Sequence, residues 1–184
     1  MPSDSPVVLV VDDEPEVADV YALRLDSEYE TRVAYGGEEA LAVIDDDVAV
    51  VLLDRRMPNL SGDDVLSAIR EEGYDCRVIM LTAVDPGPDI VEMAFDEYLC
   101  KPVEKHDLVA AIEQQLAVAR ADDRLTEYLE LRAKHSLLSH DQLPEDDLAA
   151  MQSRVEELRE ELRAELDADE LATIEETFDG ISRH

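Results

Sequence analysis

The sequence predicts an α/β protein with a five-stranded parallel, doubly wound sheet, followed by an all-α extension as a helical hairpin or coiled coil. Three observations predict this fold class. Five short apolar runs alternate with amphipathic segments through the first 102 residues. Three of these runs contain Val, Ile and Leu without alternation, which is typical of parallel strands covered on both faces. After about residue 118 the strand signals end, and charged residues at helical spacing dominate.

Each predicted strand is a short apolar run bounded by polar or turn-forming residues. The runs are VVLVV at 7–11, TRVAY at 31–35, VAVVLL at 48–53, RVIML at 77–81 and DEYLC at 96–100. Helices with one apolar face are predicted between and after them, over residues 14–27, 37–46, 62–72 and 104–118. Strands that alternate with helices in this way form right-handed β–α–β units in a parallel sheet.

The segment between the fourth and fifth strands lacks a full helical pattern. Pro86, Gly87 and Pro88 prevent a helix before about Asp89, and less than two turns remain before Ala94. We therefore expect a short or distorted element in place of a fourth helix.

The chain beyond residue 118 is predicted to be helical. The helix of 104–118 can continue to about Leu138, and Pro144 is well placed to start a second helix after the break SHDQLP. Apolar residues at spacings of 3 or 4 form a narrow seam on that helix: Leu148, Met151, Val155, Leu158, Leu162 and Leu166. A last short helix is predicted over ADELATIEETFDG, ending at Gly180. Three partners for the seam are open: the preceding helix in an antiparallel hairpin, a second chain, or the α/β domain.

The composition restricts the partners and the environment. The formal net charge is −31, with 47 acidic against 16 basic residues, spread over both halves of the chain. Such a surface is typical of proteins adapted to concentrated salt, as in halophiles. We do not expect direct DNA binding, because neutralising phosphates requires Lys and Arg. The segment MPSDSP is not a signal peptide, and no apolar run is long enough to span a membrane, so we expect a cytoplasmic protein.

Polar residues end the predicted strands. Asp12 and Asp13 end the first, Asp54 ends the third, Thr82 ends the fourth, and Lys101 follows the fifth. Because ligands of open parallel sheets bind at the carboxyl ends of the strands, we expect these side chains to converge. Clustered carboxylates need a cation, and oxygen ligands in an open site suit Mg²⁺. A carboxylate beside Mg²⁺ and a lysine can act as the nucleophile on a phosphoryl group.

The motifs VLVVDDEP, LLDRRMPNLSG, IMLTA and YLCKPV occur in this order and at suitable spacing. With them, residues 5–118 resemble the receiver (CheY-like) domain of two-component response regulators. The resemblance implies a flavodoxin-like sheet with strand order 2-1-3-4-5. It implies that Asp54 is the phosphoacceptor, that Asp13 binds Mg²⁺ directly and that Asp12 assists. The backbone carbonyl of Arg56 would be a further metal ligand.

The resemblance also implies a switch. Thr82 would be the switch hydroxyl, Tyr98 the switch aromatic, and Lys101 would pair with the phosphoryl group. The Lys101–Pro102 peptide bond would be cis. One departure from the family pattern is the pair Arg55-Arg56, which we expect to be solvated and to balance nearby acids; the alternative is an effect on access or phosphoryl lifetime.

Residues 119–180 resemble the HalX domain, a helical module attached to receivers in haloarchaea. The resemblance rests on RLTEYLELRAKHSLL, the break, and DLAAMQSRVEELREELRAEL.

The leading hypothesis is a response regulator that accepts a phosphoryl group on Asp54 from a sensor histidine kinase or phosphotransfer protein. Its output would be protein contact or oligomerisation through the C-terminal helices, including a homodimer. It would not be an enzyme beyond Mg²⁺-dependent self-phosphorylation and autodephosphorylation. The alternatives are an aspartate-nucleophile phosphohydrolase, which needs a second Asp where Arg56 stands, a phosphorylation-independent scaffold, and a direct transcriptional regulator.

Overall fold

The computed structural model of the protein describes residues 5–83, 85–119, 123–138 and 142–181. The strands are β1 Val7–Val11, β2 Glu30–Ala34, β3 Val48–Leu53, β4 Arg77–Thr82 and β5 Glu97–Cys100. The helices are α1 Pro15–Leu25, α2 Gly37–Val43, α3 Gly62–Glu71, α4 Lys105–Val118, α5 Asp123–Leu137, α6 Glu145–Glu165 and α7 Ala168–Asp179. A single 3-10 helix, Pro88–Glu92, stands between β4 and β5.

The five strands form one parallel sheet in the order β2-β1-β3-β4-β5, as predicted. Helices α2 and α3 cover one face of the sheet, and α1 and α4 cover the other. Strand β1 is buried along its whole length, and β3 and β4 nearly so, which explains their uninterrupted apolar sequences. The doubly wound architecture therefore follows from the pattern of the sequence.

Local signals fix where the helices begin. Pro15 occupies the first turn of α1, where its missing amide proton has no partner to lose. Helix α3 begins with a capping box: the Ser61 hydroxyl accepts from the Asp64 amide, and the Asp64 carboxylate accepts from the Ser61 amide. This box places the first turn of α3 beside the end of β3.

The fourth crossover is short, as expected. The 3-10 helix has five residues, and of its side chains Ile90 is buried against the sheet. Pro86 and Pro88 account for the short element, because proline cannot donate the hydrogen bonds of a longer helix. This element is shorter than the helices of the other three crossovers, α1, α2 and α3.

Helices α5, α6 and α7 share a third apolar core. Four residues of the predicted seam belong to this core: Val155, Leu158, Leu162 and Leu166. Leu148 and Met151 are buried but lie outside it. Arg124, near the start of α5, pairs with Glu165 at the end of α6, so these helices run antiparallel. The hairpin is thus the partner of the seam, with α7 packed on it. The predicted continuation of the helix of 104–118 passes through residues 120–122, and part of the predicted break falls on 139–141. Both segments lie outside the described residues.

Candidate functional site

Three carboxylates meet at the carboxyl end of the sheet. Asp12 and Asp13 follow β1 and Asp54 follows β3, and one ligand oxygen from each lies within 4.8 Å of the others. The backbone amide of Asp54 donates to the Val11 carbonyl at 2.9 Å, which extends the β1–β3 pairing into the site. The Asp12 carboxylate accepts from the Glu14 amide at 2.9 Å, which orients it. The sequence-predicted convergence of these residues is therefore present.

Lys101 reaches this cluster from the end of β5. Its Nζ donates to Asp12 and lies 3.5 Å from Oδ1 of Asp54. Its backbone amide donates to the Thr82 carbonyl at 2.8 Å, and the Lys101–Pro102 peptide bond is cis, in agreement with the expectation. Burial alone would lower the pKa of Lys101, but the hydrogen bond to Asp12 and the charge of Asp54 outweigh it and raise the pKa.

The Asp54 carboxyl is energetically unfavourable in its charged form. Burial raises its pKa to about 6; the charge of Lys101 opposes this rise, and the nearby carboxylate of Asp12 adds to it. A divalent cation beside these carboxylates would reverse the balance. The donor set, consisting of carboxylate oxygens at a partly open edge, fits Mg²⁺.

Thr82 and Tyr98 lie on β4 and β5, the two strands that follow β3 in the sheet. Thr82 ends β4, is fully buried, and is in register with Cys100. Tyr98 is also fully buried on β5, with its ring centroid 5.6 Å from that of Phe95. Burial raises the pKa of the Tyr98 phenol, while a hydrogen bond with the Arg55 guanidinium opposes the rise. The structure thus gives the two predicted switch side chains adjacent strands and a common buried setting.

Arg55 differs from the expectation that both arginines are solvated. Its side chain is only 10% exposed, and its guanidinium makes a bidentate bond with Asp63, with Nε–Oδ1 at 3.0 Å and Nη2–Oδ2 at 3.2 Å. It also pairs with Asp89 on the 3-10 helix and with the Tyr98 hydroxyl. Arg56 is exposed, as expected, and the ligand role of its carbonyl remains a prediction. Arg55 therefore joins the site to α3, β5 and the fourth crossover.

Sequence reasoning missed the partners of Arg55 and the role of Gly62. A Cβ at Gly62 would lie 2.2 Å from the carbonyl oxygen of Asp54, so only glycine lets α3 start this close to the phosphoacceptor candidate. The Gly62 amide donates to the Arg55 carbonyl at 2.8 Å. Its place in the LLDRRMPNLSG motif was the available signal for this close approach.

Comparison with protein families matches residues 8–113 to the response regulator receiver domain. A putative transcriptional regulator of Haloferax volcanii is 47% identical over 163 residues, covering 86% of this chain and 28% of that protein. The transcriptional regulatory protein CpxR of Klebsiella pneumoniae is 41% identical over 109 residues, covering 57% of this chain and 47% of that protein. The chain therefore spans less than half the length of either relative.

Solved structures share the fold of the α/β region. The response regulator TrrA of Thermotoga maritima, solved in complex with Mg²⁺ and BeF, superposes with a TM-score of 0.53 at 33% identity. The match covers 60% of this chain and 98% of that one. Among the helices that the structure describes, none has the length and apolar character needed to cross a membrane.

Proposed function

The chain belongs to the response regulator receiver domain family, and we propose that it is a two-component response regulator phosphorylated on Asp54. The donor would be the phosphohistidine of a sensor kinase or of a phosphotransfer protein. The observation that carries the proposal is the position of the Asp54 carboxylate, between the acidic pair after β1 and the ammonium of Lys101. An aspartate in this position can act as a nucleophile, and the lysine can balance charge on the phosphoryl oxygens.

In the proposed reaction, an Asp54 carboxylate oxygen attacks the phosphorus of the donor. The new O–P bond forms as the P–N bond to the donor imidazole breaks, and the imidazole takes a proton from solvent. Asp12, Asp13, Asp54 and the Arg56 carbonyl would hold Mg²⁺, which neutralises phosphoryl charge when bound. The complex of TrrA with Mg²⁺ and BeF supports this ligand chemistry by similarity.

The phosphoryl group would act as a switch. It adds about 1.5 to 2 negative charges and three acceptor oxygens, which attract the Thr82 hydroxyl and Lys101. Movement of Thr82 changes the space beside Tyr98 on the next strand. We propose that this change reaches the C-terminal helices and alters their contacts with protein partners.

The C-terminal helices are proposed to form the HalX-like output module. The alignment with the Haloferax volcanii relative supports a C-terminal region shared with that regulator, because 86% of the chain includes part of the region beyond residue 118. Within the described part of the chain, the seam from Val155 to Leu166 packs with α5 and α7, and Leu148 and Met151 are also buried, so a homodimer would have to use other surfaces. Modulation of an oligomer or a protein partner is the output we favour over direct DNA contact, given the net charge of −31.

The alternatives receive less support. A phosphohydrolase would need an acid/base aspartate where Arg56 stands, and the chemistry proposed for this chain includes no turnover of a separate substrate. A phosphorylation-independent scaffold would not need the complete acidic cluster with Lys101. The names of the two relatives favour a role in transcription, which this chain would exert through a partner protein.

Intact-mass spectrometry tests the proposal. Wild type and the Asp54→Asn variant are treated with acetyl phosphate and Mg²⁺ in high salt. We expect one phosphoryl adduct on wild type and none on the variant. If no adduct forms on folded wild type, a beryllofluoride-binding measurement separates rapid hydrolysis from a scaffold, because the stable mimic binds only in the first case.

A further inference from the structure

The part of the sheet that the short fourth crossover leaves uncovered is covered by the end of α5. Leu137 and Leu138 are buried in the same apolar cluster as Ile90, Phe95 and Tyr98. The Gln142 side-chain amide, just beyond, donates to the Pro86 carbonyl at 2.6 Å. A segment of the C-terminal region therefore packs where a longer fourth helix would otherwise lie.

Lys134 fastens α5 to this crossover. Although it is a lysine, it is only 5% exposed, and lysine is rarely buried unless its charge is paired. Its Nζ donates to the carbonyls of Val91 at 3.1 Å and Met93 at 2.9 Å, and to Glu130 at 2.7 Å. An ammonium group has three protons, so each of them has an acceptor. In a regular α-helix the two carbonyls would instead accept from amides four residues further on.

The same ammonium lies close to an aromatic pair that includes Tyr98, the predicted switch aromatic. Lys134 Nζ is 5.3 Å from the ring centroid of Phe95, within the range of a cation–π interaction. Phe95 in turn packs against Tyr98, whose hydroxyl bonds to Arg55, the residue after Asp54. Side-chain contacts thus run from α5 to Arg55, which follows the phosphoacceptor candidate in the chain.

We infer that α5 packs on the face formed by the 3-10 helix and β5 within the same chain. Phosphorylation of Asp54 weakens this packing by breaking contacts of Lys134. The inference rests on the proposed function and identifies α5 as the helix that responds to phosphorylation of Asp54. All three protons of Lys134 are already bonded before phosphorylation. Displacement of Phe95 or of the crossover carbonyls can therefore only remove contacts of Lys134, which loosens α5.

Hydrogen exchange with mass spectrometry on the full chain tests this inference. Wild type, Lys134→Met and the control Lys105→Met are compared with and without beryllofluoride and Mg²⁺. Lys105 is a half-exposed lysine on α4, paired with Glu28. In wild type, beryllofluoride should protect peptides containing Asp54 and accelerate exchange across 130–137 about tenfold, the change expected when a charge-assisted hydrogen bond breaks. Lys134→Met should exchange rapidly there without beryllofluoride, and Lys105→Met should behave as wild type.

The outcomes separate this inference from the proposed function. Protection around Asp54 with unchanged exchange across 130–137 in wild type would overturn the inference and leave the proposed function intact. Absence of protection around Asp54 would overturn both. Slow exchange across 130–137 in Lys134→Met would show that Lys134 does not fasten α5. If Lys134→Met loses protection in the central strands as well, it is globally unfolded, and the wild-type comparison alone decides the matter.

Discussion

Replacing Asp54 by asparagine should stabilise the metal-free protein at neutral pH. The pKa of Asp54 is raised from 3.8 to about 6, chiefly by burial. One pKa unit corresponds to about 1.4 kcal/mol, so the shift corresponds to at most about 3 kcal/mol. Asp54 sits at a partly open edge, and solvent screening there reduces the expected effect to about 1–2 kcal/mol. The asparagine side chain carries no charge and therefore avoids this cost.

The sign of the pH dependence follows from proton binding. Between about pH 4 and pH 6 the folded state holds a proton on Asp54 that the unfolded chain has released. The free energy of unfolding of wild type therefore falls as pH rises through this window, relative to the variant. The two proteins should be about equally stable near pH 4, and Asp54→Asn should be more stable above about pH 6.

Urea unfolding at fixed ionic strength with a chelator measures the difference. Asp46→Asn is the matched control, because Asp46 is an exposed aspartate between α2 and β3. We expect its difference from wild type to be small at every pH. An Asp54→Asn variant less stable than wild type at neutral pH, or a difference that does not change with pH, would refute the reasoning.

Three further predictions concern the site and its support. Mg²⁺ should raise the melting temperature of wild type, and Asp13→Asn should abolish most of that rise because a carboxylate ligand is lost. An equal rise in the two proteins would contradict a Mg²⁺ site that includes Asp13. Arg55→Met should destabilise the protein by about 1–3 kcal/mol in urea unfolding, because the buried Tyr98 hydroxyl loses its partner. Adding Tyr98→Phe should then cost less than it does in wild type, and strict additivity would exclude the contact. Asp96→Asn should lower the free energy of unfolding by about 3–5 kcal/mol in the same assay, because Arg70 and Arg77, which bond to Asp96 at 2.7 and 2.9 Å, lose a buried counter-charge. A decrease below about 1 kcal/mol would show that these ion pairs contribute little to stability.

The sheet and the acidic cluster could be predicted because both depend on local sequence. A strand buried on both faces must be apolar along its length, so VVLVV and VAVVLL indicate parallel strands directly. Once the strands are parallel, the residues after them share one edge, and Asp12, Asp54 and Lys101 must converge there. No long-range information beyond the strand order was needed.

The environment of Arg55 could not be predicted in the same way. Its burial depends on Asp63, whose position follows from the start of α3, and on Asp89, whose position follows from the shortened crossover. The sequence shows that the crossover is short but not where its acidic side chain points. An arginine next to a surface-exposed loop looks solvated until these two carboxylates and the Tyr98 hydroxyl are placed around it.

Helix α5 shows why the partner of the C-terminal seam was also open. Leu125, Tyr128 and Leu129 belong to the core shared with α6 and α7, whereas Leu137 belongs to the core of the sheet. One helix thus contributes to two cores, and its apolar pattern alone does not show which of its residues belong to which core. A parallel sheet must be covered on both faces, and the short fourth crossover leaves a gap that the last turn of α5 fills. The receiver domain and the C-terminal helices are therefore joined by packing as well as by the chain, and a change at either core can affect the other through α5.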